Sequence, residues 1–124
     1  MKLQLASQPG LLVFTGYGAG YVTISKQRHE RSLVLLPDRI IEDEWQPASF
    51  EALHARHFAF LAELGTEIVL LGTGNTLRFP PPAMTECMRT AGIGLEIMDT
   101  RAACRTYNIL VGESRSVAAA ILLT

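Results

Sequence analysis

The chain has 124 residues, of which 48% are hydrophobic and 19% charged, and its formal net charge is -1. That length suits one domain spanning residues 1–124 whose core needs no metal or disulfide, and the apolar content excludes disorder. A charge so close to zero leaves no electrostatic footprint for nucleic acid or an anionic membrane, so neither is expected as a partner.

Residues 1–10 carry one cation and scattered apolar side chains before a Pro9-Gly10 turn, which is no signal-peptide core. The first half then reads as β-rich. Leu11 to Phe14 is a short apolar run, the glycines around Tyr17-Gly18-Ala19-Gly20 mark a loop or bulge, and Tyr21 to Ser25 alternates as a half-buried strand does. Lys26 to Arg31 reads as a charged turn leading to a strand over Ser32–Leu36, so the two strands are expected to form an antiparallel pair. A third strand is expected over Ile40–Trp45.

Ser49 then reads as the N-cap of a helix with Glu51 in its first turn, and Phe50, Leu53, His57, Phe60, Leu61 and Leu64 recur at helical spacing up to Gly65. Ile68-Val69-Leu70-Leu71 is a buried strand by length, expected at the centre of the sheet, and Gly72-Thr73-Gly74 gives a sharp turn after it. Pro80-Pro81-Pro82 forces an extended segment whose last proline can start a helix carrying Met84, Cys87, Met88 and Ala91 inward and ending at Gly92. Leu95 to Met98 is the next strand. Asp99 or Thr100 caps a third helix with Ala103, Tyr107, Leu110 and Val111 as its stripe and Gly112 as its stop. The last strand, 117–122, is apolar on both faces and belongs inside the sheet. The uninterrupted apolar stretch there is far short of the ~20 residues of a membrane span, so no membrane insertion is expected.

Gly72-x-Gly74 with Asp99 after the following strand has the outline of a dinucleotide site, but Leu77 stands where the third glycine belongs and three prolines separate the turn from the next helix. No cofactor is expected. Cys104 lies between Arg101 and Arg105, neighbours that would favour a thiolate, yet no histidine is near it in sequence, and packing is the commoner fate of a cysteine. His54 and His57 could face one metal from a helix, but no third ligand is evident and Arg56 between them opposes a cation, so no metal site is expected. Glu42, Asp43 and Glu44 read as a solvated loop. The cysteines Cys87 and Cys104 form no Cys-x-x-Cys unit, which points to reduced thiols and a cytoplasmic location.

Gly72-Thr73-Gly74, Pro81-Pro82, Ala91-Gly92-Ile93-Gly94, Met98-Asp99-Thr100, Ala103, Thr106-Tyr107-Asn108-Ile109-Leu110, Glu113, Arg115 and Val117, in this order and spacing, resemble a family of small domains of largely unassigned activity. Gly18, the Ser32–Pro37 segment and Trp45 extend the resemblance over nearly the whole chain. The animal members of that family include a mitochondrial assembly factor for respiratory complex I and an adipogenesis-associated protein. The resemblance implies an α/β, three-layer architecture: a mixed central sheet with about three helices on one side and a smaller β-layer on the other. It supplies no catalytic residue. The organelle of the animal members does not carry over, because no basic amphipathic leader is present.

The polar set that invites a function is Gly72, Thr73, Gly74, Asp99, Thr100, Tyr107, Asn108, Glu113 and Arg115, read as a shallow binding groove at the strand ends. The same residues also have structural uses as helix cap, core filler and a Glu113–Arg115 pair. With no catalytic residue assigned, the expected function is a non-catalytic, assembly-factor-like domain, monomeric or weakly dimeric, that binds a protein partner through the glycine-turn edge. The alternative is a small-ligand binder or enzyme using Cys104, Asp99 and Arg115 beside Gly72 and Gly74.

Overall fold

Every residue of the last strand, Val117–Ile121, is buried, and alternate side chains enter two different cores. Val117, Ala119 and Ile121 face one cluster, while Ala118 and Ala120 face the other. This is the period-two signature of a strand covered on both sides. The computed structural model describes residues 10–123, so the reading of residues 1–9 lies outside them. In chain order the described residues form β1 (Phe14–Gly18), β2 (Tyr21–Ile24), β3 (Gln27–His29), β4 (Leu33–Leu36), β5 (Arg39–Ile41), α1 (Ala55–Ala62), β6 (Ile68–Gly72), α2 (Glu86–Thr90), β7 (Gly94–Met98), α3 (Thr100–Gly112) and β8 (Val117–Ile121).

The five-stranded sheet has the order β5-β4-β8-β6-β7, mixed because β6, β7 and β8 are parallel while β4 runs antiparallel to β8 and β5. The central strand is therefore β8, and β6 lies one place off centre. A three-stranded sheet, β1-β2-β3, covers part of one face.

The three-layer α/β arrangement is present, but the helices divide across the large sheet. Phe58 and Leu61 of α1 and Met88 of α2 pack on one face with Trp45 and Leu53, whereas Ala103, Cys104, Tyr107 and Val111 of α3 share the other face with Phe14, Val22 and Ile24 of the small sheet. The division follows from strand order. The β6-α2-β7 connection steps outward and β7-α3-β8 steps back past β6, so two right-handed crossovers in opposite directions must use opposite faces.

The first half departs from the expected hairpin. Tyr21–Ile24 pairs with β1 and β3 in the small sheet, while Leu33–Leu36 lies in the large one, so the two are not partners. The stretch expected as a charged turn contains β3. The turn itself is confined to Ser25 and Lys26, with φ of 51° and 67°, a left-handed pair of the kind hairpins require. The expected third strand shortens to Arg39–Ile41, and Trp45 instead lies under α1, its Nε1 donating to the His57 carbonyl at 3.1 Å. Ser49 leads only into a 3-10 turn, Phe50–Ala52. Leu53 is extended and buried, and α1 begins afresh at His54, whose N–H donates to His57 Nδ1 at 2.9 Å. Burial, with the charges of Arg56 and His54 behind it, holds the His57 imidazole below its ordinary pKa, which favours the neutral ring that can accept this bond.

Asn108, on the buried face of α3, ties the two layers together. Its Oδ1 accepts from the Phe14 N–H at 3.0 Å and its Nδ2 donates to the Phe14 carbonyl at 2.8 Å, as a neighbouring strand would. The Tyr107 hydroxyl donates to the Leu12 carbonyl at 3.0 Å, and its ring meets Phe14 edge-on at 5.3 Å. Asn108→Ala strands a buried donor and acceptor on Phe14, so it is expected to cost about 3 kcal/mol in denaturant melts. An unchanged midpoint would show that this clasp contributes nothing.

Candidate functional site

The strand order also dictates where a site can form. β6 and β7 are neighbours whose following helices go to opposite faces, and such a reversal opens a crevice at the carboxyl ends of the two strands. Gly72-Thr73-Gly74 leaves β6 there, and Asp99-Thr100 leaves β7 beside it.

The chain's own hydrogen bonds fill that crevice. Thr73 N–H donates to the Met98 carbonyl and Thr100 N–H to the Gly74 carbonyl, each at 2.9 Å. The buried Thr100 hydroxyl accepts from Gly74 N–H at 2.9 Å and donates to the Leu122 carbonyl at 2.9 Å, while Leu122 N–H returns to the Gly72 carbonyl at 2.9 Å. Asp99 caps α3, its carboxylate accepting from Ala102 N–H at 2.9 Å. The Thr100, Ala102 and Ala103 amides at this helix start are thus engaged, and a carboxylate stands where a phosphate would sit.

The two glycines have different reasons. Gly72 is a strand residue rather than a turn: a Cβ there would lie 3.0 Å from Thr100 Oγ1 and from Ile121 Cδ1, and 3.1 Å from Thr100 Cα. Gly74 supplies the turn, with φ of 93°. The space left between Gly74 and the small sheet is about 20 Å³, lined by Gly18, Gly20, Gly74, Asn75, Thr100, Leu122 and Leu123. That is room for roughly one water.

Of the residues read as one groove, five meet here: Gly72, Thr73, Gly74, Asp99 and Thr100. Tyr107 and Asn108 lie farther along α3 and serve β1 and the segment before it. Glu113 and Arg115 are at the far end of a helix about 20 Å long, both exposed, and among the described residues no ion pair joins them. Gly112 does not stop that helix alone, since the left-handed residue is Ser114, with φ of 62°.

Cys104 is fully buried against the small sheet, and burial pushes its thiol up to about 12 in spite of Arg105. The structure gives the thiolate version of the alternative no support: Arg101 and Arg105 are exposed, while the cysteine faces the core. Arg105 instead donates to the Tyr17 hydroxyl at 3.0 Å. His54 and His57 stack at 5.9 Å and are used in starting α1.

What sequence reasoning missed lies just past Gly74. Residues 73–81 form a loop built around the Thr73 hydroxyl, which donates to the Thr76 carbonyl at 2.7 Å and accepts from Arg78 N–H at 3.2 Å. Arg78 reaches back to α1's approach, pairing with Glu51 at 2.5 Å and lying 4.4 Å over the Phe50 ring. That guanidinium holds the Glu51 carboxyl down at about 2. On either side of Arg78, Leu77 is 48% and Phe79 66% exposed. The signal for them was two large apolar residues in an otherwise polar turn ahead of a proline run. An open depression of about 230 Å³ adjoins the loop at Thr73, Asn75, Thr76 and Arg78.

The family profile described as "Protein of unknown function (DUF498/DUF598)" matches residues 14–122. The chain belongs to that family. It is 32% identical over 116 residues to a mouse protein named NADH dehydrogenase [ubiquinone] 1 alpha subcomplex assembly factor 3, covering 92% of this chain and 62% of that one. This chain thus spans less than two thirds of the animal relative. A Francisella tularensis relative, named 13 kDa major membrane protein, is 26% identical and matches over 98% of this chain and 99% of its own length. A crystal structure of a Bordetella parapertussis protein superposes with a TM-score of 0.86 at 32% identity, covering 93% of this chain and 98% of that one. A Bordetella pertussis solution structure described as a Mth938-like domain has a TM-score of 0.75 at 29% identity, covering 99% and 92% of the two chains. Among the described residues of this family member, no helix is long and apolar enough to cross a membrane.

Two outcomes are expected from the site. Gly74→Ala should lower stability by about 1 kcal/mol through its left-handed backbone, read by denaturant melts, and leave partner binding intact. Near-native stability with lost binding would make the glycine a recognition element instead. Iodoacetamide at neutral pH should label half-buried Cys87 in the native protein and Cys104 only after unfolding, followed by peptide mass mapping. Native labelling of Cys104 ahead of Cys87 would restore a reactive thiol.

Proposed function

We propose that this family member is a non-catalytic protein-binding domain, assembly-factor-like in role, that engages its partner at the glycine-turn edge of the large sheet. The observation that carries the reading is the pinned loop with Leu77 and Phe79 exposed. Exposed apolar side chains held in a fixed conformation can be buried by a partner with little ordering cost, and aromatic anchors of that kind dominate interface energetics. The crevice beside them, by contrast, is occupied by Thr100 and backbone amides, an arrangement suited to holding the loop rather than to chemistry.

The assembly-factor name of the animal relatives supports a protein partner. Neither the identity of that partner nor respiratory-complex assembly is carried over. A cytoplasmic location belongs to the same proposal, supported by two unpaired cysteines, one of them half-exposed. The chain acts as a monomer or a weak homodimer in this reading.

Affinity capture from the source cell under mild conditions, with wild type beside a Leu77→Ser/Phe79→Ser double variant, tests it. The wild type should recover a reproducible partner set, and the double variant should lose it about tenfold or more while its thermal midpoint stays put. Equal recovery by both proteins would remove the loop from the interface. No reproducible partner, together with turnover of a small molecule by the pure protein, would overturn the non-catalytic reading.

A further inference from the structure

Among the described residues β7 pairs with β6 alone and forms one edge of the five-stranded sheet. In a parallel ladder, alternate residues exchange bonds with the neighbouring strand. Gly94 N–H donates to the Glu67 carbonyl and the Met98 carbonyl accepts from Thr73 N–H, each at 2.9 Å. Gly94, Glu96 and Met98 therefore face β6, and the N–H and C=O groups of Leu95 and Ile97 point away from the sheet. Among the described residues no hydrogen bond takes up those four groups.

The other edges are protected. β1 is engaged at Phe14 by the Asn108 clasp, and β3 and β5 are three residues each, carrying Arg28 and Arg39. β7 has five residues, no proline and a regular register, and its Leu95 and Ile97 are only partly covered by the core containing α1 and α2. An edge of that kind is a template for another strand.

We propose that the β7 edge receives an extended segment of a protein partner by strand addition, and that this segment carries a lysine or arginine beside Glu96. The proposal rests on the protein-binding reading above and names the contact, which adjoins the Leu77–Phe79 loop where Thr73 meets Met98. Glu96 is the one charge on β7, exposed, and among the described residues it has no ion-pair partner.

The same carboxylate argues against a second copy as occupant. Antiparallel self-pairing that satisfies all four outward groups must set Leu95 opposite Ile97 of the copy, and Ile97 opposite Leu95. Glu96 then falls opposite its own equivalent, with Cα atoms roughly 4.5 Å apart, and like charges so placed repel. A basic residue in the partner strand turns that repulsion into attraction, while apolar residues on its other face lie beside Leu95 and Ile97.

The test uses the whole isotope-labelled chain and two end-blocked probe peptides at millimolar concentration, Thr-Val-Lys-Val-Thr and Thr-Val-Glu-Val-Thr. The lysine peptide should slow amide exchange at Leu95 and Ile97 severalfold and the glutamate peptide should not, with the preference reversed in Glu96→Lys. Glu96→Val should self-associate in sedimentation runs with the same two amides protected, whereas wild type should not. Absent protection with both peptides, equal protection by both, or a strictly monomeric Glu96→Val would overturn the proposal. Wild-type self-pairing through these amides would overturn the choice of occupant. Because the readout is the edge of the purified chain, its failure alongside intact partner capture removes the strand contact and leaves the binding reading standing.

Discussion

The structure depends on the Thr100 hydroxyl. One oxygen accepts from the turn that ends β6 and donates to the residue after β8, at the first position of α3. It can do so only because Gly72 has no side chain to hold α3 and β8 away. Three elements that are far apart in sequence thus meet through one buried hydroxyl, so breaking any one bond would leave an unpaired donor or acceptor. The 73–81 loop inherits its footing from this junction, since Thr73 starts from it and Arg78 ends on Glu51.

α3 was legible in the sequence because its signals are local: Asp99 before a 3.6-residue periodicity, with Ala103, Tyr107 and Val111 on one face. The buried character of β8 was legible for the same reason. The pairing within the small sheet was not, because its hairpin turn uses Ser25 and Lys26 in left-handed conformations with no glycine or asparagine to mark it. The split of the helices could not be read from any window, since it is fixed by the position of β7 outside β6.

The candidate site was half legible. Successive strand-to-helix turns of a parallel sheet end on one side, which brought Gly72, Thr73, Gly74, Asp99 and Thr100 together. Sequence proximity misled for the rest. Asn108 resembles a functional amide until its strand-like pairing with Phe14 is seen, and Arg101 and Arg105 flank Cys104 along the chain but are exposed where it is buried. Polar residues spaced like a site can be the fasteners of a fold.

The central place of β8 has a consequence for how the chain is made. Residues 117–121 are synthesised after every other strand described, yet they alone join the β4–β5 ribbon to the β6–β7 pair. Until they emerge, Leu33, Leu35, Val69 and Leu71 have no strand between their ribbons and both half-sheets present raw hydrogen-bonding edges. Folding must therefore wait on the last segment, a long-range closure of the kind that slows folding and exposes intermediates to aggregation. For a growing chain on the ribosome, both half-sheet edges stay open until that strand clears the exit tunnel.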